Sequence, residues 1–573
     1  MDNKKKSIKT TTKPKKWLRY GFIFILLLTP FIVQAGVTNT YDSKGNIITQ
    51  VTTDDTTGAI THYYTASYNA SGQITVTDNY SYTNGVVSSR AYAEVDPSTG
   101  TTTRTYDASY NSSGTVTAVD DTRYNTSGQK TNDYTTTYNA SGQPASYSGT
   151  TYNASGQVTV SDNYAYTNGV VSTRTYAEVD PTTGTTTRTY DASYSSNGTV
   201  TAVDDTRYST SGQKTNDYTT TYDASGQPVS YSGTTYNGSG QTTVTDNYSY
   251  TNGVVSSRTY AEVDPTTGTT TRTYDASYSS NGTVTNVDDT RYNTSGQKTN
   301  DYTTTYDASG KTTSYSGTTY DANGNITVSD DYSYTNGVVS SRAYAEIDPT
   351  TGTTTRTYDA TFNASGNVTA VDDTRYNTSG QKTNDYTTTY DASGQPVSYS
   401  GLTYNADGKV TVSDNYTYTN GVVSSRNYEE IDPETGTVTR TYDATYNANG
   451  TVASVDDTRY NASGQKTSEY TTDYNDKGEV IGMINKQYDA NGNLLTTYTY
   501  GNYIYSSNGT LCSYTLIRTD ANGQVTTTTI QIQDNPDLAQ ANSQRICGYY
   551  YDPKNGSLIP KYGSLPPGVG ENQ

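Results

Sequence analysis

Histidine is almost absent from this chain. His62 is the single imidazole in 573 residues, and there are two Cys, two Met, one Trp and four Phe. A Ser-His-Asp or Cys-His catalytic arrangement could therefore be built only around His62, and a catalytic zinc site of the common two- or three-His kind is excluded. No G-x-x-x-x-G-K-[ST] loop occurs, and the glycines fall in turns, so no phosphate cradle is expected. Basic charge is also scarce. Lys and Arg total 37 against 56 Asp and Glu, with a sequence pI near 4.5, which argues against nucleic acid because phosphates demand a basic face. Hydrophobic residues make up only 31 %, and Leu, Ile, Val and Phe fall below the roughly 20 % at which a charged chain is suspected of disorder. What is present instead is 62 Tyr and 49 Gly, with abundant Thr. Tyr and Thr are strand formers, and here they recur with a strict period. The expected fold class is all-β, without a conventional aliphatic core.

The first 35 residues differ from the rest. Met1 to Arg19 carries eight Lys or Arg and one Asp, Gly21 to Val33 is apolar, and Val33-Gln34-Ala35 has the small-residue pattern of a cleavage site. This order describes a secretory signal with cleavage after Ala35. The apolar run is short of the roughly 20 residues a spanning helix needs, and no later run approaches that length. With eight of the 37 basic and one of the 56 acidic residues removed, the mature chain carries a net charge of −26 and no Trp. The expected location is secreted or cell-surface, with the periplasm as the other open compartment. No transmembrane span is expected in the mature chain.

The Asp-Pro step at Asp96-Pro97 recurs at Asp180-Pro181, Asp264-Pro265, Asp348-Pro349 and Asp432-Pro433, each time after 84 residues. Within one such unit Gly72, Gly85, Gly100, Gly114, Gly128, Gly142 and Gly156 are spaced 13, 15, 14, 14, 14 and 14 apart. The module is therefore about 14 residues long, and such a period decides the fold before any other signal. Each module joins a turn such as Tyr110-Asn111-Ser112-Ser113-Gly114 to about nine residues rich in Thr, Tyr and Val. Asn or Asp opens the turn by bonding its own backbone and Gly closes it at positive φ, the chemistry of a type I turn with a G1 bulge. Strand, tight turn, strand predicts tandem 14-residue modules in an elongated or spiralling antiparallel β-meander. A β-solenoid, with each module one coil, is the alternative. The array is expected over 36–500. Degenerate repeats, a C-terminal cap and a Pro-rich tail are expected over 501–573.

Tyr488-Asp489-Ala490-Asn491-Gly492-Asn493-Leu494-Leu495 resembles the YD repeat of RHS-type bacterial proteins, and Tyr320-Asp321-Ala322-Asn323-Gly324-Asn325-Ile326 matches it again. The resemblance covers roughly 41–530. It implies a long antiparallel β strip, a surface setting and, as one functional option, the remnant of a YD-repeat toxin-delivery shell.

Several residue sets could carry chemistry. Asp120-Asp121 recurs at Asp204-Asp205, Asp288-Asp289, Asp372-Asp373 and Asp456-Asp457, with Arg123 expected on the face of Asp121 and Glu94 expected to share a face with Asp96. Paired carboxylates serve glycoside hydrolysis, but a site repeated five times is unlike an active site built once from unlike pieces. Exposed acid–base pairs are the plainer expectation, no catalytic residue is assigned, and the chain is expected not to be an enzyme. No cofactor is expected beyond weak calcium binding by the acidic turns. The turn-opening tyrosines Tyr68, Tyr82, Tyr110, Tyr124, Tyr138 and Tyr152 are expected to cover the sheet, as Phe362 at one equivalent position suggests; the other reading makes them platforms for sugars. Thr runs such as Thr135-Thr136-Thr137 open a further reading as a water-ordering face. Cys512 and Cys547 suggest a disulfide in a secreted chain. The expected function is that of a non-enzymatic repeat scaffold: an adhesin, spacer or matrix protein. Its partners would be glycans or other cell-surface proteins. A glycan-binding module using the Tyr rows is the alternative.

Overall fold

The computed structural model describes residues 36–505, 509, 511–532, 549–552 and 557–560. The expected signal segment, residues 1–35, lies outside them. Among the described residues no helix is long and apolar enough to cross a membrane. The chain divides into two compact units, Met1–Gly184 and Thr185–Gln573.

Among its described residues the first unit holds eleven strands, from β1 (Val37–Tyr41) to β11 (Val170–Val179), and each pairs antiparallel with the next in sequence. The second unit repeats this connectivity from β12 (Thr186–Tyr194) to β36 (Val525–Gln531). A small hairpin, β37 (Tyr549–Asp552) and β38 (Ser557–Pro560), follows. This is the expected antiparallel meander, and the solenoid alternative is excluded because consecutive strands are antiparallel neighbours. Typical strands have nine or ten residues.

Three kinds of turn account for the spacing of 13, 15 and 14. Most modules use the expected bulged turn. The Gly114 N–H donates to the Asn111 carbonyl at 2.9 Å, and the Asn111 side-chain oxygen accepts from the Ser113 and Thr115 N–H groups. Gly114 sits at φ +76°, and the ladder register shifts just before Tyr110. The short module ends instead in a two-residue turn. Asn84 and Gly85 both have positive φ, 53° and 81°, between the paired Thr83 and Val86, as a type I′ turn requires. The long module turns through Asp96-Pro97-Ser98-Thr99-Gly100, closed by a Gly100 N–H bond to the Asp96 carbonyl at 2.8 Å. The one-residue deficit and excess are therefore absorbed at turns, and the strands stay in phase.

Little of the sheet is buried. The most buried apolar residues of the regular array are Ala66, Ala108, Ala192, Ala276, Ala360 and Ala444. Tyr500 and Tyr514 join them near the end of the second unit. Stability must then come from ladder hydrogen bonds and from side chains lying across one another on the sheet faces.

Candidate functional site: the tyrosine–arginine face

Opposed residues of an antiparallel pair project to the same face, so the register sorts every side chain. In the 84-residue unit that begins with β4 (Ile74–Thr83) and β5 (Val86–Val95), one face carries Asp78, Tyr80, Arg90, Tyr92 and Glu94. It continues through Arg104, Tyr106 and Ala108 of β6 (Thr102–Tyr110), then Val119, Asp121 and Arg123 of β7 (Val116–Tyr124). Tyr134 of β8 (Lys130–Tyr138), Tyr147 and Gly149 of β9 (Pro144–Tyr152), and Asp162 and Tyr164 of β10 (Val158–Thr167) complete it. The opposite face carries mostly small residues, Thr105, Asp107, Ser109, Ala118, Asp120, Thr122, Asp133, Thr135 and Thr137, with Lys130 bonded to Asp133.

Two bidentate ion pairs anchor the aromatic face. Arg90 donates through Nε and Nη2 to both oxygens of Asp78, each at 2.9 Å. Arg104 does the same to Asp121 at 2.7 and 2.8 Å. Arg104 also reaches Glu94 at 3.6 Å, and Arg123 reaches Asp121 at 3.9 Å. The guanidinium of Arg90 lies 5.4, 5.2 and 5.2 Å from the ring centres of Tyr80, Tyr92 and Tyr106, within the range of cation–π attraction. Ala108 stands directly opposite Arg90, and its small side chain leaves room for this stack. Burial pushes the Tyr80 phenol up to about 12 despite the nearby Arg90 cation. The hydrogen bonds that Arg90 donates to Asp78 hold its guanidinium charged more firmly than usual.

The second half of the unit is a row of rings. Tyr134 and Tyr147 are stacked at 6.1 Å and 22°, Tyr147 meets Tyr164 edge-on at 5.7 Å, and Tyr164 lies 6.4 Å from Tyr166. Tyr147 lies over Gly149. A Cβ there would come within 2.7 Å of the Tyr147 Oη and 3.1 Å of its Cε1. The glycine is therefore needed for the room it leaves, since its φ is an ordinary strand value. The same ring-over-glycine contact recurs at Gly233, Gly317 and Gly401.

These positions revise several expectations. Asp120 and Asp121 do not form a carboxylate pair, because adjacent strand residues point to opposite faces. Asp121 belongs to the aromatic face, whereas Asp120 accepts from the Thr135 hydroxyl at 2.5 Å on the other. Arg123 does share the face of Asp121, but the dominant partner is the cross-strand Arg104, and the Asp121 side chain is only 16 % exposed. Glu94 accepts from the Tyr92 hydroxyl at 2.9 Å within β5, while Asp96 lies beyond the strand end and accepts from the Ser98 N–H in the turn. It is therefore not a face partner of Glu94. Thr135 and Thr137 share the small polar face, and Thr136 lies on the aromatic one. The Thr135 hydroxyl is spent on Asp120, and that of Thr137 is bonded with Ser146.

The turn tyrosines close their strands half-buried. Tyr68 donates to the Ile47 carbonyl at 2.9 Å. Burial raises the Tyr138 phenol, with Tyr106 and Tyr166 adding to the shift. Phe362 occupies the equivalent place opposite Val368. His62 lies opposite Thr52 and Ser81. The exposed turn carboxylates, such as Asp96 and Asp307, are lowered chiefly by hydrogen bonds from their own turns. Among the described residues no group of three His, Cys, Asp or Glu is arranged to hold a metal ion. Cys512 is half-buried on β35 (Leu511–Asp520), and Cys547 lies outside the described residues. Ala108 and Gly149 were missed in the sequence, although their recurrence at 84-residue steps among larger residues was the available signal.

No family model matches the chain, and no curated protein matches it. Structural comparison returns the complex TcdB2-TccC3 at 12 % identity and a TM-score of 0.14, covering 87 % of this chain and 39 % of that one. The Tc holotoxin pore of Photorhabdus luminescens is returned at 11 % and 0.12, covering 88 % and 36 %. A porin-like protein of Bacteroides uniformis is returned at 12 % and 0.12, covering 48 % and 89 %. The chain thus spans well under half the length of the toxin chains it matches, and scores this low carry nothing about its function.

Proposed function

We propose that this chain is a non-enzymatic repeat scaffold, secreted or held at a cell surface, that serves as a spacer, adhesin or matrix element. The observation that carries the reading is the recurrence of one internally bonded face. The Arg104–Asp121 pair returns as Arg188–Asp205, Arg272–Asp289, Arg356–Asp373 and Arg440–Asp457, with the same bidentate geometry. The charged groups a catalyst would use are here spent on one another, and the units are interchangeable. Repetition suits a protein whose output is length or the number of contacts, since multivalency turns weak single contacts into avidity.

The test is removal of one unit. Joining Asp264 to Pro349 deletes Pro265–Asp348 and preserves the turn on both sides. A folded, exported product with an unchanged urea midpoint and shorter reach is the expected outcome, because repeat stability is close to a sum of unit and neighbour terms. Unfolding of the remaining array, or loss of an activity that does not scale with unit number, would refute it. The glycan-binding reading draws on the half-exposed Tyr rows. Substituting Tyr68, Tyr82, Tyr110 and Tyr138 by Ala separates the two readings: lost glycan attachment with intact folding supports the sugar platform, and lost stability supports the scaffold.

A further inference from the structure

We propose that the stacked ring pairs of β8 and β9 and their equivalents are sites of oxidative dityrosine formation, which would staple neighbouring strands covalently. The same near-parallel pair occurs four times: Tyr134–Tyr147, Tyr218–Tyr231, Tyr302–Tyr315 and Tyr386–Tyr399, at 6.1–6.2 Å and 21–23°. Each pair opens into a longer row through Tyr164, Tyr248, Tyr332 or Tyr416 at 5.7–5.8 Å. These separations lie within the about 4.5–7 Å over which aromatic rings interact directly.

Three features favour coupling over other fates of a phenol radical. The partner ring is already in place on the adjacent strand, so the bond forms without a second molecule. The ring-over-glycine contact at Gly149, Gly233, Gly317 and Gly401 holds the inner ring of each pair in its position. Finally, beyond residue 35 the chain has no Trp, one Met and two Cys, so few competing side chains drain the oxidising equivalent.

Two phenols each lose one electron and one proton to a one-electron oxidant, such as peroxide consumed by a haem peroxidase. The two radicals join through their ortho carbons, and the ring hydrogens displaced there restore the two hydroxyls. One C–C bond forms, two hydrogen atoms leave the protein, and one hydrogen peroxide is reduced to two waters.

This goes beyond the scaffold reading and stands without it, since it needs only the ring pairs and an oxidant. The purified chain is oxidised with photoactivated ruthenium tris-bipyridyl and persulfate, an oxidant small enough to reach half-buried rings. Dityrosine is read by its fluorescence and by mass spectrometry of proteolytic peptides. Expected are cross-links joining Tyr134 to Tyr147 and the equivalent pairs, with a yield per chain that does not change on tenfold dilution. The quadruple variant G149A/G233A/G317A/G401A keeps every tyrosine but displaces the inner rings, and is expected to lower the yield at these pairs at least threefold. The set Y124F/Y208F/Y292F/Y376F removes four tyrosines outside these pairs and is expected to leave it unchanged. Hydrogen exchange of the glycine variant, compared with the parent, verifies that β8, β9 and their equivalents remain formed. Cross-links that are mainly between chains, spread without regard to the ring pairs, or equally abundant in the folded glycine variant would overturn the proposal, as would absence of dityrosine.

Discussion

Within the second unit, the regular 84-residue repeats and the C-terminal strands solve the same problem differently. The contrast shows what repetition is for. Position 149 of the repeat is Gly in four successive units, and its fifth counterpart is Asn485 on β33 (Val480–Tyr488), opposite Tyr470 and Tyr498. The Tyr that covers the glycine elsewhere becomes Met483. The Asp of the Asp162–Arg174 pair becomes Tyr498 on β34 (Leu494–Tyr505), and the residue opposite Tyr500, where Arg174 stands opposite Tyr164, is Leu516 of β35. The ion pair is replaced by rings. Tyr500 and Tyr514 are 7 and 8 % exposed, and Tyr503 stacks on Tyr514 at 5.7 Å. In the regular units β4 and β5, and likewise β6 and β7, each share a charge pair across neighbouring strands. Where the repeat ends, burial of aromatic area takes over. Asn485 is fully buried, with neither side-chain polar atom hydrogen-bonded within the described structure.

The largest effect that would sharpen this contrast comes from truncating the buried rings. Tyr500→Ala or Tyr514→Ala is expected to destabilise β34 and β35 by ~3–5 kcal/mol, against ~1–2 kcal/mol for Tyr248→Ala in a regular unit. Hydrogen exchange of the local amides reads both, and equal losses would erase the distinction. Next comes Glu469 on β32 (Lys466–Tyr474), which accepts from Lys466, Lys486 and Tyr488 at 2.8, 3.0 and 3.0 Å. Chiefly through the Lys466 bond, and against a burial cost, its carboxyl is lowered to about 2 from an ordinary 4.5. A depressed acid contributes stability that is present above its unfolded pKa and lost as pH falls through its folded one. Local stability should therefore decline from about pH 4.5 to about pH 2, and Glu469→Gln should remove roughly 1–2 kcal/mol at neutral pH after allowance for solvent screening.

A smaller effect is expected at Gly317, where Ala must displace the Tyr315 ring, whose Oη lies 2.7 Å from the added Cβ. A loss of about 1 kcal/mol in thermal or urea unfolding is expected. The same change at Gly501, where an added Cβ meets nothing within 4 Å, should be nearly neutral. The smallest effect is a gain. Asp275 lies directly opposite Asp288 on the small polar face, and burial first, then that neighbour, raises its carboxyl. A raised acid favours folding when protonated, so stability falls as pH rises from its unfolded pKa through its folded one, and the cost is complete at neutral pH. Asp275→Asn should add about 0.5 kcal/mol there and less at pH 3; a loss at neutral pH would show that the charge serves packing.

The strand–turn module, its antiparallel connectivity and the turn chemistry were legible because each rests on local physics. Asn111 bonds its own backbone, Gly114 takes a positive φ, and side chains alternate with period two. The candidate face was legible only in part. Tyr110 and Phe362 could be assigned to sheet cover from the sequence, because ring identity survived where the hydroxyl did not. The partner of Asp121 could not be assigned. Arg123 and Arg104 are both plausible by spacing, and only the register that places Tyr106 opposite Asp121 brings the Arg104 fork onto the carboxylate. The same register decided that Asp120 faces away from Asp121, that Ala108 lies opposite Arg90, and that Tyr147 rests on Gly149. Period, turn type and strand length belong to single segments of chain, and the sequence by itself determined them. Which side chains meet across the sheet depends on how two segments align, and in the regular units a bulge at each turn shifts that alignment by one residue, so the tertiary structure decided it.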